Sequence, residues 1–457
     1  MVTKIEHVKG LPIVEIENFI STTKTTTLLQ NRTEKFKSAI SHYPNYYRNN
    51  DRLVEDNNLL SKELYALLND FNINGIKKFE GLNTRLRFCR YQKDQLFSVH
   101  QDGVHYPDEK RESKYTFLLY LNGEESFSGG NTEFFNSKYE TKPCKTIIPQ
   151  KGKLVIFDHK IWHKGAKITQ GNKYILRSDI YITSKKEFSH HNGYIWSLLK
   201  YDDTLFFSCG RDAAIKLWNH ELNLINVIQI HTKSVLKIAR LNSSEFISCS
   251  RDFTLKKWNY SGTLLASITL NEMLITLTTN AVKKQIIAVG TSGHIFVFNY
   301  ELVELKAIKA HTNWIWDVLV VEDDYVITCS EDRTLVLTHL STGVTKILYK
   351  NNEELFSLCK SNNRIFIGTK SGAMIDFSLK NNTSKTIHLH KDIIRSINYY
   401  SNEIISCGED GKIMAYGVGT KLKREITETD NFIQDSIVLN DQLYVAGFDG
   451  RITINNL

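Results

Sequence analysis

The sequence predicts two domains of different class: an α+β domain over residues 1–184 and an all-β, seven-bladed propeller over residues 185–457. Three observations predict it. A phrase centred on a short polar turn recurs seven times, 39 to 40 residues apart, through the last three fifths of the chain. Upstream, helical apolar spacing gives way near residue 85 to short alternating runs. Among those runs stands a constellation without counterpart in the repeats: His100, Asp102, His163 and Arg177.

Within residues 1–84 the stretches IENFISTTKTTTLLQNRTEKFKSAI (16–40) and EDNNLLSKELYALLNDF (55–71) carry apolar residues at spacings of three and four. Thr, Asn and Asp stand near their starts, so both read as helices. From 85 to 184 the segments TRLRFCRYQ, LFSVHQD, KYTFLLYLN, NTEFF, KTIIPQKGKLVIFD and NKYILRSDIYIT read as strands. All five prolines fall in this first part and mark its loops. Helices first and antiparallel strands after predict an α+β, barrel-like sandwich with its active groups on strands, facing inward.

The repeats are SCGRDAAIKLWN (208–219), SCSRDFTLKKWN (248–259), AVGTSGHIFVFN (288–299), TCSEDRTLVLTH (328–339), FIGTKSGAMIDFS (366–378), SCGEDGKIMAYG (406–417) and VAGFDGRITINN (445–456). Each reads as strand, tight turn, strand. Repetition at this period means stacked supersecondary units. Segments ending in His precede several copies, as in IHTKSVLKIAR (230–240), AHTNWIWDVLV (310–320) and LHKDIIRSINY (389–399). With His231, Asp252 and Trp258 in one repeat, and Asp212 with Trp218 in another, residues 190–457 resemble the WD40 family. The third to seventh copies lack the terminal Trp, and the third and fifth lack the Asp. These residues read as structural, each set a local hydrogen-bond network inside one blade. Seven blades close a ring that leaves only short protected edges. The chain ends after the third strand of the last repeat, so Lys185–Ser189 are expected to supply its fourth. Cys209, Cys249, Cys329 and Cys407 occupy one position of four repeats, which is core packing and not a disulfide framework.

A 457-residue chain with 41% apolar residues can bury two ordinary cores. No apolar run is long enough to span a bilayer and the first residues show no signal-peptide pattern, so a cytoplasmic protein without membrane attachment is expected. The net charge of +8 comes entirely from residues 1–190, where 30 Lys and Arg face 22 Asp and Glu; the remainder has 28 of each. No basic run is interleaved with aromatics, which argues for a basic solvated surface and against nucleic acid as the partner.

His100 and Asp102 are two residues apart, so on a strand both project from one face. Two imidazoles and one carboxylate bound facially leave adjacent positions open on non-haem iron. His163 is the candidate third ligand. His159, in the turn FDHK, and His105, in the loop after Asp102, are rivals. RYQKDQLFSVHQDG (90–103), TFLLYLN (116–122), SGGNTEFF (128–135) and KGKLVIFDHKIWHKGAKITQGNKYILRSDIYI (151–182) together resemble the Fe(II)- and 2-oxoglutarate-dependent dioxygenases of the prolyl 4-hydroxylase-like group. Asn131 departs from the Glu that relatives carry there.

The resemblance implies a double-stranded β-helix (jelly roll), with His100, Asp102 and His163 as iron ligands. It implies that Arg177 pairs with the distal carboxylate of 2-oxoglutarate and that Tyr91 and Tyr120 hydrogen-bond this cosubstrate. It further implies O2 as oxidant, succinate as coproduct and ascorbate as reductant. The expected substrate is a protein or peptide, with the propeller as a protein-binding platform. Two other classes stay open: a scaffold with a vestigial oxygenase domain, and an oxygenase acting on a nucleobase or small molecule.

Overall fold

A computed structural model describes residues 3–457 apart from 31, 39–46, 72, 74–75, 109, 184–189 and 430. The chain divides into two compact units, Met1–Phe188 and Ser189–Leu457. No described helix is long and apolar enough to cross a membrane.

The first unit opens with strands, not helices. β1 (Thr3–Val8) and β2 (Leu11–Ile16) form a hairpin in which Val8 faces Leu11. Both residues of its turn, Lys9 and Gly10, have positive φ, as a two-residue turn matching the strand twist requires. The helix expected over 16–40 shrinks to α1 (Thr22–Leu29), capped by the Ser21 hydroxyl accepting from Lys24 N at 3.1 Å. Ile16 belongs to the sheet, and the five threonines of α1 are weak helix formers whose branched side chains lose rotamer freedom. After β3 (Lys37–Ser38) and β4 (Asp51–Asp56), α2 (Asn58–Asn69) forms as expected, capped by Asn57.

The remaining strands are β5 (Gly81–Leu82), β6 (Arg85–Tyr91), β7 (Phe97–His100), β8 (Arg111–Tyr120), β9 (Phe127–Gly129), β10 (Thr132–Phe135), β11 (Lys145–Ile147), β12 (Leu154–Asp158), β13 (Trp162–Gly165), β14 (Ile168–Gly171) and β15 (Lys173–Thr183). A large sheet runs β1-β2-β12-β8-β15-β6-β4-β3, with β5 also on β15; a smaller one runs β11-β10-β13-β7; β14 pairs β9. Alternation along the central strands sorts side chains onto two faces. Leu86, Phe88, Phe117, Leu119, Leu154, Ile156, Leu176 and Ile180 pack under the helices with Leu60, Leu64 and Leu68. Tyr91, Leu118, Tyr120, Val155, Phe157 and Ile175 face the other way, onto Phe97, Phe134 and Ile147 of the smaller sheet. The polar residues in phase with this second set, Arg87, Thr116, Lys173, Arg177 and Asp179, therefore point between the sheets.

The second unit holds seven antiparallel sheets in chain order, six of four strands and one of three among the described residues. The Lys185–Ser189 segment expected to complete the last lies outside the described residues. The first strand of each sheet neighbours the first strand of the next, and Ile433–Leu439 of the last neighbours Ile195–Lys200 of the first. A repeated polar unit ties down four of the seven turns. His231 Nδ1 bonds Asp252 at 2.9 Å, its Nε2 meets Ser248 Oγ at 2.8 Å, and Trp258 Nε1 donates to the same hydroxyl at 2.8 Å. His191, Asp212, Ser208 and Trp218 repeat this arrangement, and His311 and His390 repeat it without the Trp. The four aligned cysteines are fully buried thiols.

The residue after each turn Asp or Ser is left-handed in all seven copies: Ala213, Phe253, Gly293, Arg333, Gly372, Gly411 and Gly450 have φ between 64° and 87°. A side chain in that region costs on the order of 1–2 kcal/mol. Ala213→Gly is therefore expected to raise the stability of this unit by about 1 kcal/mol, less the chain entropy that glycine adds. Chemical denaturation of the two proteins checks it; an unchanged or lower midpoint contradicts the argument.

Candidate metal centre

His100 ends β7 and His163 lies directly opposite it on β13, so the ladder itself brings the imidazoles together, ring centroids 4.2 Å apart. Each ring is locked from behind. His100 Nδ1 bonds the Ser98 carbonyl at 2.7 Å and His163 Nδ1 the Ile161 carbonyl at 2.9 Å, which fixes the tautomer and leaves both Nε2 lone pairs forward. Asp102 meets them from the loop past β7, not from the strand that its spacing suggested. Its backbone N–H donates to the His159 carbonyl at 3.0 Å, turning the carboxylate inward. Each imidazole Nε2 then lies 3.6 Å from an Asp102 oxygen.

The three ligand atoms lie within 4.8 Å of one another, and all three residues are buried. Burial opposes the Asp102 charge, but Arg177, His163 and His100 outweigh it and hold the carboxyl well below its usual range. Burial, with His100 beside it, pushes His163 down to about 3, and burial lowers His100 too. The centre is thus two neutral imidazoles and one carboxylate, the donor set of a non-haem iron site with open positions. His100 Nε2 is buried without a hydrogen-bond partner among the described residues, which a metal would supply.

Arg177 does not stand free for a ligand carboxylate. Its guanidinium bonds Asp102, whose other oxygen accepts from the Thr116 hydroxyl. A cation without a carboxylate partner among the described residues lies four residues earlier on the same face of β15. Lys173 is 3% exposed and reaches only the Gly130 carbonyl, with the rings of Tyr91 and Tyr120 at 5.7 and 5.3 Å. Burial pushes its ammonium down to about 7. Gly130 has φ +69°, a left-handed backbone conformation that favours glycine, and in it the carbonyl meets Lys173. Tyr120 is fully buried and its hydroxyl meets Thr132 Oγ1 at 2.6 Å.

Sequence reasoning missed Lys173, although it stands in phase with Arg177 in the alternation KYILR, on the inward face of the strand. His159 is not part of the metal cluster; its Nε2 lies 4.0 Å from Asp179. His105 bonds Tyr181 OH at 3.2 Å. Asn131 contributes its backbone carbonyl, accepting from Ala166 N at 2.8 Å.

The 2OG-Fe(II) oxygenase superfamily model matches residues 86–178, which hold the metal cluster, Lys173 and Arg177. The WD domain, G-beta repeat model matches residues 182–219, 222–259 and 302–338. The WD40 beta propeller domain of Doa1 is similar in fold, with a TM-score of 0.52 at 16% sequence identity over 58% of this chain and 93% of that one. None of the curated proteins matches the chain. An oxygenase domain of that superfamily and a WD40 propeller are thus joined in one chain.

Replacing one of three ligands should abolish tight metal binding. The wild type is expected to take up one equivalent of Co(II) and gain thermal stability from it; His163→Ala should show neither in a titration followed by absorption and thermal unfolding. Equal Co(II) affinity in the two proteins would exclude His163 as a ligand.

Proposed function

We propose that the first unit is an Fe(II)- and 2-oxoglutarate-dependent dioxygenase that hydroxylates a protein or peptide, and that the propeller is a platform for a polypeptide partner. The observation carrying this reading is the pairing of an open three-donor cluster with a buried lysine that has no carboxylate partner among the described residues. One takes a metal and the other an organic anion; the histidines stand on the smaller sheet and Lys173 on the face of the larger sheet turned toward it. His100, Asp102 and His163 are the iron ligands. When bound, Fe(II) supplies the redox chemistry by which O2 converts 2-oxoglutarate to succinate and carbon dioxide while one oxygen atom enters a substrate C–H bond.

The protein's part is binding and orientation. Lys173 receives the distal carboxylate of 2-oxoglutarate, with Tyr91 and Tyr120 walling that end of the cavity. Arg177 holds Asp102 in its ligating orientation and replaces, in this account, its expected role as the carboxylate clamp. The apolar faces of Phe157 and Phe134 around His163 keep water from the reacting end. Ascorbate is the expected reductant, and a prolyl side chain the expected target by resemblance to the prolyl 4-hydroxylase-like group. In the same reading the sandwich is a double-stranded β-helix and the seven sheets are blades of one ring, with the domains meeting at residues 184–185. Leu198 N donating to Asp435 at 3.0 Å, between the first and last sheets, supports the ring.

Succinate formation from 2-oxoglutarate with Fe(II) and ascorbate under air tests the enzyme reading. The wild type is expected to turn over slowly without substrate and His100→Ala not at all. Lys173→Met should raise the KM for 2-oxoglutarate by about 10- to 100-fold, the worth of one charged hydrogen bond. A wild type without turnover overturns the proposal.

The depressed Lys173 ammonium gives a pH signature. Below pH 7 it is already charged, so 2-oxoglutarate affinity is flat; above pH 7 binding must recruit a proton, and affinity falls with rising pH by up to about tenfold per unit. Calorimetric titration of the Mn(II)-loaded protein between pH 6 and 8.5 should show this slope, and Lys173→Met should lack it.

A further inference from the structure

The inward face of β15 reads Lys173, Ile175, Arg177, Asp179, so behind the Arg177–Asp102 pair stands a second buried carboxylate in phase with it. Asp179 is 3% exposed. Its Oδ2 accepts from Arg87 at 3.0 Å and from Asn83 Nδ2 at 3.1 Å. Its Oδ1 faces His159, but at 4.0 Å and with neither imidazole nitrogen hydrogen-bonded among the described residues.

Arg87 lies directly across the ladder from Arg177 on β6. Two guanidiniums opposite one another in a dry interior repel, and the pair survives only if anions offset their charge. Each guanidinium has its own anion: Arg87 bonds Asp179 and Arg177 bonds Asp102. Two carboxylates act on Arg177: Asp102, which it touches, and Asp179, two residues along the same strand face. It touches Asp102 through one terminal nitrogen, and its Nε is buried without a partner among the described residues. Contacts on the guanidinium alone therefore do not fix its orientation; the charges around it must.

We propose that Asp179 is a positioning residue of the metal centre: bonded to Arg87 and Asn83, it neutralises the guanidinium opposite Arg177, so that Arg177 stays on Asp102 and aims its carboxylate at His100 and His163. This rests on the reading of His100, Asp102 and His163 as metal ligands. Asp179 touches neither metal nor cosubstrate in this account; it acts through Arg177 alone.

Dependence on Arg177 is what a double-mutant cycle measures, with Co(II) affinity of the full chain as the readout. Outer-shell substitutions weaken metal binding by about 10- to 100-fold. Asp179→Asn is expected to lower Co(II) affinity about tenfold, Arg177→Gln by at least as much, and the double variant no further than Arg177→Gln. Affinity unchanged in Asp179→Asn, or a loss that adds in full to that of Arg177→Gln, overturns the proposal. Thermal unfolding of each apo variant accompanies the titrations. Should Asp179→Asn fail to fold, Asn83→Ala takes its place; it removes one anchor and leaves the charges intact, with a smaller loss expected that again vanishes in the Arg177→Gln background. A wild type that binds no Co(II) defeats the metal-centre reading itself, whereas a wild type that binds beside an Asp179→Asn that binds equally well defeats only the positioning role.

Discussion

Asp102 is a carboxylate taken out of water between two imidazoles, a guanidinium and a hydroxyl, and the first unit is arranged around it. Removing such a charge from water costs several kcal/mol unless partners with good geometry surround it. Its partners come from both sheets: Thr116 and Arg177 from the large one, His100 and His163 from the small one. A slip of one residue in β15 would turn Arg177 and Asp179 into the apolar layer under the helices and bring Leu176 or Ser178 against Asp102. Register, sandwich spacing and site are therefore one constraint, and the alternation of β15 satisfies it.

The two units use the same residue types in opposite ways. In the propeller, four histidines each have one ring nitrogen on an aspartate and the other on a hydroxyl, so both nitrogens are matched and each small network closes on itself. In the first unit each histidine of the cluster has one nitrogen on a backbone carbonyl and the other turned toward Asp102 at 3.6 Å, beyond hydrogen-bond reach. Closed networks hold a turn; open ones leave valence for a ligand. The same contrast separates Arg87, matched by Asp179, from Lys173, whose only polar contact among the described residues is a carbonyl oxygen.

Much of this was legible in the residues because it is local. Seven turns in register, aligned cysteines and a missing Trp in five copies are properties of spacing alone. The matches and mismatches of the first unit follow the same line. α2 formed where its apolar stripe and Asn57 cap placed it, since both signals lie within one helix. The helix expected from residue 16 did not extend, because Ile16 pairs with Leu154, 138 positions on, and such a pairing leaves no trace in a local window. His191 escaped notice for a related reason: its Asp212 and Ser208 partners are in the first repeat, but it stands at the junction before any copy had begun. Lys173 was hidden because it follows the polar run TQGN at the start of its strand, where a lysine normally reads as solvated.

The amino-acid sequence by itself determined the two-part organisation, the propeller class and the three residues of the candidate metal cluster, because periodicity and short motifs depend on neighbours a few positions apart. Tertiary structure alone decided which charges meet. Arg177 and Lys173 stand on one face of one strand with equal claim to an anion, and spacing cannot rank them. Folding brings Asp102 to Arg177 and no carboxylate of the described chain to Lys173, and that difference is set by the loop that carries Asp102, far from both in the sequence, so only the tertiary structure distinguishes a paired cation from an unpaired one.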